Sequence, residues 1–512
     1  MKTTKIFIIL TAFVVASGFW SCSEDFLKQD PQTSMSNDQV FESLDNVQFF
    51  LDGLYFQWRD TRVNRKGFFL MLGTDESQQG EYQLRTDTEQ GGLDKYDGFF
   101  YNENKPIAQL WSIRWPVVVK AEQGIQKLNE LLPSASKEDS VRINSFLGQA
   151  HFYKGAVLFE LATYWGELPI PNVQENTVIL SGKKSLQETY QQVEADLLKA
   201  SSLLKTTADA SNPRIATKWA SDALLGKMYM SAPVASGYRD FGKAKTVLQE
   251  IVNKGGFSLV PNFTDLWDGT KSAGKEPVFT FLFNNVWPDT NEAQWYTGSR
   301  ACSGNPTNYI GGYDLILPTE YARTDIAMNG LWETGDLRKM ESIRYDFYNG
   351  SNFPSPVAGF GEDQLYPHIK KYEDKRIDGL ESFYRSGKNM YYLRYADILL
   401  SLAECMNETG ETAEAVNLVN TTVRKRAWGG SLPTEYAWNQ GMSQDDFRRE
   451  IMNERMRELC FEGWRRFDLI RTGNFVNLIK DRNRWAKQNA TIADTHMLFP
   501  IPITEVKMNP NL

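Results

Sequence analysis

Apolar residues recur every three to four positions along much of this chain, the spacing of amphipathic helices. The first stripe, Phe41, Leu44, Val47, Phe50, Leu51 and Leu54, predicts a helix over 37–58 with Ser36 or Asn37 as its cap. Further helices are predicted over 112–131, 138–164, 185–205, 216–231, 240–254, 391–408, 411–427 and 443–460. Two stretches break the rhythm. Residues 60–110 and 257–390 are rich in Gly, Asn, Asp, Pro and aromatics and show little helical period. Compact domains rarely carry loops this long without a functional reason, so short strands and a binding site are expected there.

Several predicted helices come as pairs joined by short turns. Leu225-Gly226-Lys227-Met228-Tyr229 matches the L-G-x2-Y core of a tetratricopeptide first helix, and Ala244, Val247 and Leu248 fall where its second helix packs back. Gly226 is expected to allow close helix approach, with Tyr229 filling the space above it. A second pair runs from Tyr395 to Glu404, stops at Gly410, and returns through Ala413, Ala415, Val416 and Val419. A lone pair cannot bury its apolar face, so stacking is implied. The fold class expected is mainly α, a tetratricopeptide-like helix-pair scaffold with a large irregular region carrying short strands and the ligand site.

The chain start adds a location. Lys2 and Lys5 precede an apolar run from Ile6 to Val15, then Ala16, Ser17 and Gly18 lead to Cys22. This is the layout of an export signal, and the apolar run is too short for a membrane span. Residues 1–21 are expected to be a signal peptide and Cys22 the lipidated first residue of the mature protein, although Phe19 and Trp20 depart from the usual lipobox. Residues 22–36, polar and interrupted by Pro31, then form a tether. Two or three acyl chains anchor a protein stably where one does not.

Composition narrows the chemistry. Of 512 residues 41% are hydrophobic and 23% charged, ordinary for a globular protein, and the net charge of -8 argues against nucleic acid as partner. Cys302, Cys405 and Cys460 show no CxxC spacing, and buried free thiols are expected at the last two. Three scattered histidines (His151, His368, His496) offer little to a metal centre, and no calcium-loop spacing is present. No cofactor is expected; a structural Ca2+ on loop carboxylates and carbonyls stays open, with no residues to assign to it. G-x-S-x-G, the P-loop and H-E-x-x-H are all absent from the sequence.

The second half carries a resemblance. Tyr391 to Glu404 is similar to an "R-A-E-x-L-L-x-x-A-E" helix, with Asp397 where Glu is common; Asn420, Arg424 and Arg426-Ala427 are similar to "N-x-x-R-x-R-A". Ile451 to Arg471, with Glu454-Arg455-Met456-Arg457-Glu458-Leu459 and Arg465-Arg466-Phe467-Asp468, is the most specific stretch, and Leu498-Phe499-Pro500-Ile501-Pro502 closes the chain. Together with the lipidated start, Phe26-Leu27 and the helix at 37–58, these resemble the SusD/RagB family of Bacteroidetes outer-membrane nutrient-binding lipoproteins from end to end. Ser23-Glu24-Asp25 resembles the acidic export tag of such surface lipoproteins.

The resemblance implies a single SusD-like domain over 37–512. Its scaffold of about four tetratricopeptide-like units spans 37–59, 112–254 and 391–480, with variable insertions at 60–110 and 257–390. It also implies an outer-membrane, outward-facing protein that binds a glycan and passes it to a SusC-like TonB-dependent transporter. Some family members capture peptides, which is the first alternative; a surface glycoside hydrolase is the second, and a pure scaffold the third.

Glu454 and Glu458 share a helix face, with Glu462 extending the row, but Arg455, Arg457, Arg465 and Arg466 interleave with them. Guanidinium forks keep carboxylate pKa values low, the opposite of what a general acid requires, so an ion-pair network and no enzyme is expected. A hydrolase would need a pair such as Asp75 or Glu76 opposite Asp289 or Glu292. Sugar binding needs flat rings flanked by polar groups. The stretches Asn285–Tyr313 and Asp75–Tyr101 offer Trp287, Trp295, Tyr296, Arg300, Asn305, Tyr309, Tyr82, Arg85 and Tyr96, with Trp295-Tyr296 the leading pair.

Overall fold

The computed structural model describes residues 37–512 apart from 64, 175–176, 180, 209–211, 287, 304–309, 349–352 and 377–384. Two compact units emerge, one ending at Phe50 and one starting at Leu51. A turn of helix Asn37–Val40 stops before α1 (Leu44–Val63), whose first residues to Phe50 belong to the first unit. The expected single helix is therefore broken, because Ser43 caps α1: its hydroxyl accepts the Asn46 N–H at 3.2 Å. Phe41 and Phe50 meet there with ring centres 5.6 Å apart.

In the second unit, residues 60–110 are more helical than their composition predicts. Strand β1 (Ser77–Gln79) leads to α2 (Glu81–Thr86), α3 (Thr88–Lys95) and α4 (Lys105–Ser112). These helices are too short to show a period in sequence, yet they carry real caps. Asp87 accepts from the Gln90 N–H and Asn104 from the Ile107 N–H.

The scaffold follows as α5 (Trp115–Leu131), α6 (Lys137–Trp165), α7 (Leu186–Leu203), α8 (Lys218–Ser231) and α9 (Phe241–Lys254), each packed on the next in sequence. Local chemistry sets their ends. Ser136 caps α6, a reciprocal Ser185–Glu188 box caps α7, and Asp240 caps α9. Every residue of α8 from Trp219 to Ser231 is buried. At Gly226 a Cβ would lie 2.6 Å from Leu248 of α9, so the glycine admits the close approach expected of it. Adding that methyl would overpack the pair at a cost of about 1–3 kcal/mol.

Beyond α9, strand β2 (Pro277–Phe281), the short α10 (Ala293–Thr297) and β3 (Ile316–Pro318) introduce the irregular region. Strand β4 (Met390–Arg394) pairs antiparallel with β2 and runs straight into α11 (Tyr395–Glu408), so the helix predicted from 391 starts four residues late. α12 (Thr412–Val419) continues as a π-helical turn, Asn420–Arg424, then Lys425–Ala427. α13 (Gln444–Leu459), capped by Ser443, and α14 (Arg465–Arg471) complete the frame. An aromatic core ties β2 and β4 to it: the Trp58 ring stacks on Phe279 at 5.4 Å and meets Tyr392 edge-on at 4.8 Å. Cys302, Cys405 and Cys460 are buried and form no disulfide among the described residues. Among the described residues no helix is long and apolar enough to cross a membrane.

Candidate functional site

β1 pairs antiparallel with β3, Ser77 against Pro318 and Gln79 against Ile316, and this pairing brings the start of α2 against the segment before β3. Gly80 is required there, since a Cβ would sit 1.9 Å from the Asp314 carbonyl oxygen. A second close approach shapes the same place. Gly298 and Gly312 cross so tightly that a Cβ on Gly298 would fall 2.3 Å from the Gly311 carbonyl oxygen. Three backbone bonds hold the crossing: Ser299 N to Ile310 O, Gly312 N to Ser299 O and Asp314 N to Gly298 O, each 3.0 Å.

The outcome is a row of rings around one guanidinium. The Arg300 Cζ lies 4.3 Å from the Phe360 ring centre, 4.6 Å from that of Tyr313 and 5.2 Å from that of Tyr82. Tyr82 and Phe360 touch, with centres 4.5 Å apart. Tyr313 leads on to Trp295 at 5.5 Å, and Trp295 stacks on Tyr296 at 5.9 Å with planes 11° apart. Tyr82, Trp295, Tyr313 and Phe360 are each half-buried, so ring surface remains open to solvent.

Arg300 is 8% exposed. Burial pulls its pKa down and Asp314 opposes this. Asp314 Oδ2 is 3.5 Å from the guanidinium, while its Oδ1 accepts the Arg300 backbone N–H at 2.7 Å and lies 2.9 Å from His368 Nε2. Upstream of Phe360 in the chain, Tyr348 and Phe353, both well exposed, pair at 4.9 Å.

Of the residues singled out in the sequence, Tyr82, Trp295 and Arg300 come together here. Tyr296 is a correction: it is 4% exposed, its hydroxyl donates to Glu292, and its ring packs on Phe68 at 5.1 Å, so it backs the row without facing solvent. Burial, with Glu292 adding, raises its pKa.

Tyr96 is a second correction. It is 1% exposed in an apolar cluster with Phe475 and Leu469, its hydroxyl donates to the Gly73 carbonyl, and burial pushes its pKa to about 12. Arg85 is exposed at the end of α2 and joins none of the described ring contacts of the row. Trp287, Asn305, Tyr309 and the lipidation position Cys22 lie outside the described residues. Tyr313 and Phe360 were not singled out. Phe360 carried one usable signal, its position between Gly359 and Gly361, which both adopt positive φ and hold a large ring on a tight loop.

The conspicuous carboxylates are engaged elsewhere. Burial alone would raise the Glu454 pKa, but Arg338 (2.7 Å), Arg424 (2.9 Å) and Arg457 (2.9 Å) pull it to about 2. Glu458 is likewise lowered against burial, by Arg426, Arg394 (2.5 Å) and Arg338 (3.1 Å). Glu462 meets Lys371 and Arg394, each at 2.8 Å. The expected ion-pair network is present, although only Arg457 among the interleaved arginines serves Glu454. Arg455 pairs with Asp397 and Asp468, Arg465 with Asp75, and Arg466 binds the Tyr96 hydroxyl and the His496 and Met497 carbonyls. Residues one apart on a helix face different ways, so the main partners arrive from other segments.

No open acid pair forms from the alternatives. Asp75 is clamped by Arg465 and Arg482, Asp289 lies 3.3 Å from Arg59, and Glu292 holds the Tyr296 hydroxyl. Glu76 is fully buried. Among the described residues no group of three His, Cys, Asp or Glu is placed to hold a metal.

Fold and surface together define a class: an α-helical repeat scaffold of the tetratricopeptide kind that carries an irregular, ring-bearing region. The family model described as "SusD family" matches residues 282–512, and one described as "Starch-binding associating with outer membrane" matches residues 25–230. The chain belongs to the SusD/RagB family. It is 26% identical to SusD-like protein P2 of Formosa agariphila over all of this chain and 99% of that one. A crystal structure of a SusD homolog from Bacteroides thetaiotaomicron superposes with a TM-score of 0.76 at 20% identity, covering 93% of this chain and 98% of the other. A laminarin-binding SusD-like protein gives 0.71 at 20% identity, covering 90% and 97%. These likenesses fix the fold, mainly helical as the periodicity predicts.

Proposed function

We propose that this protein is a surface lipoprotein of the outer membrane, anchored through Cys22, that binds a glycan on the Arg300 ring row and delivers it to a SusC-like TonB-dependent transporter. The observation that carries the reading is the row itself. Pyranose rings expose C–H faces that stack on flat aromatic rings, and Tyr82, Tyr313, Trp295 and Phe360 present such rings around a guanidinium. An arginine held by stacking keeps N–H groups in a fixed fork suited to hydroxyl oxygens. The "starch-binding associating with outer membrane" description of the matching model and the laminarin-binding relative support the same ligand class. The ion-paired state of Glu454 and Glu458 supports binding without turnover.

The test is affinity electrophoresis of a soluble form starting at Ser23, in gels cast with plant, fungal and host polysaccharides. Retardation by one polymer, lost in Trp295→Ala and Tyr82→Ala and without shortening of the polymer, is expected. No retardation in any gel overturns glycan binding and turns attention to peptides; shortening of the polymer overturns the non-enzymatic reading. Delivery has its own test: the lipoprotein extracted in mild detergent should co-purify with a barrel of that class.

A further inference from the structure

Next to the ring row lies a cleft of about 530 Å³ that the row's chemistry does not use. Two independent links join them. α2 carries Tyr82 in its first turn and Thr86, which lines the cleft, at its end; the Thr86 hydroxyl donates to the Tyr82 carbonyl at 2.8 Å. One helical turn separates the two, about 6 Å along the axis. At the other end of the row the Tyr296 ring packs on Phe68, the chain neighbour of the cleft wall Phe69.

The polar groups of the cleft balance. Arg65 pairs with Asp87 at 3.1 Å and Lys105 with Glu89 at 3.3 Å, so two cations face two anions. Arg65 and Lys105 are the most exposed partners, and pairs this open to water hold together weakly, so the donors and oxygens not already bonded to Gln90 or to the Lys105 N–H can turn to hydroxyls. Thr88 and Gln109 add uncharged donors and acceptors. The volume lies in the range of small-molecule sites.

We propose that row and cleft form one continuous site for a neutral glycan chain several units long, the rings stacking one part of the chain and the cleft hydrogen-bonding the next. The inference rests on the glycan reading above. Neutrality follows from the balance: a uronate or sulfate brought into the cleft meets as much negative as positive charge while losing its hydration. Length dependence follows from the continuity, because a short oligomer that fills the row leaves the cleft empty.

Titration calorimetry tests it, with oligosaccharides of graded length cut from the polysaccharide that retards the protein in the gels, and with the sulfated form of the same polymer. Affinity should rise about tenfold between the shortest and longest binding oligomers. The double variant Thr88→Ala, Gln109→Ala, its fold checked by thermal melting, should lose that rise yet bind short oligomers as the wild type does. Tyr82→Ala should weaken every length. The sulfated polymer should bind less than its parent. Equal affinity at all lengths, or a cleft variant that keeps the rise, overturns the continuous site while leaving the glycan reading intact. Retardation only by an anionic polymer, or equal binding of the sulfated form, overturns neutrality. No binding of any polymer overturns the glycan reading together with this one.

Discussion

Under α13, Arg338 meets three carboxylates, Asp336, Glu454 and Glu458, with no side-chain exposure on any of the four, whereas Arg300 meets one carboxylate, Asp314, and three rings. The first arrangement is closed: Glu454 and Glu458 are each shared among three guanidinium groups, Asp336 is held by Arg338, and nothing reaches them from solvent. The second is open on one side, because rings satisfy a guanidinium by their faces and here stay partly exposed. Two uses of one residue type thus divide the molecule into a part that holds the last helices together and a part that keeps rings partly open to water.

The strongest way to break this division is Glu458→Ala, which strips Arg338, Arg394 and Arg426 of a shared partner. A loss of about 3–5 kcal/mol in urea unfolding is expected, with polysaccharide retardation unchanged in whatever remains folded. A loss of binding at intact stability would show that the closed network also serves the ligand.

The next effect is in pH. Burial raises the Glu76 pKa from 4.5 to about 8, against Arg465, with Asp75 adding. The folded protein keeps a proton that the unfolded chain releases near pH 4.5. Its stabilising contribution is therefore full below that value and lost as pH rises through about 8, a matter of a few kcal/mol. Thermal melting of Glu76→Gln between pH 4.5 and 8.5 should fall less steeply than the wild type; parallel curves would count against a protonated Glu76.

Tyr82→Ala sharpens the comparison from the other side. It should weaken retardation about tenfold, near 1.4 kcal/mol, while shifting unfolding by less than about 0.5 kcal/mol, the mark of a surface ring. Tyr96→Phe should do the reverse at smaller scale, costing about 1 kcal/mol through the lost bond to Gly73 and leaving binding untouched. If the two tyrosines gave the same pattern, the split between row and core would fail.

Helices were legible where their signals are local. The stripes over 138–164, 185–205 and 443–460 return as α6, α7 and α13 within a residue or two at each end, because period and cap both reside in the segment. Gly226 was legible for a related reason: the L-G-x2-Y spacing specifies its own partner helix. The helices at 81–112 were not, being six to eight residues long and stabilised by tertiary packing more than by period.

By itself, then, the sequence determined most of the helical frame, the burial of Cys405 and Cys460, and that the Glu454 row is ion-paired, although most of its arginines arrive from distant segments. Only the tertiary structure decided which aromatics face water. Tyr82 and Tyr96 sit in similar stretches, yet the pairing of β1 with β3 carries the first to the Arg300 row, and the packing of Phe475 closes over the second. A ring's exposure depends on what distant segments bring against it, and that information is in no local window.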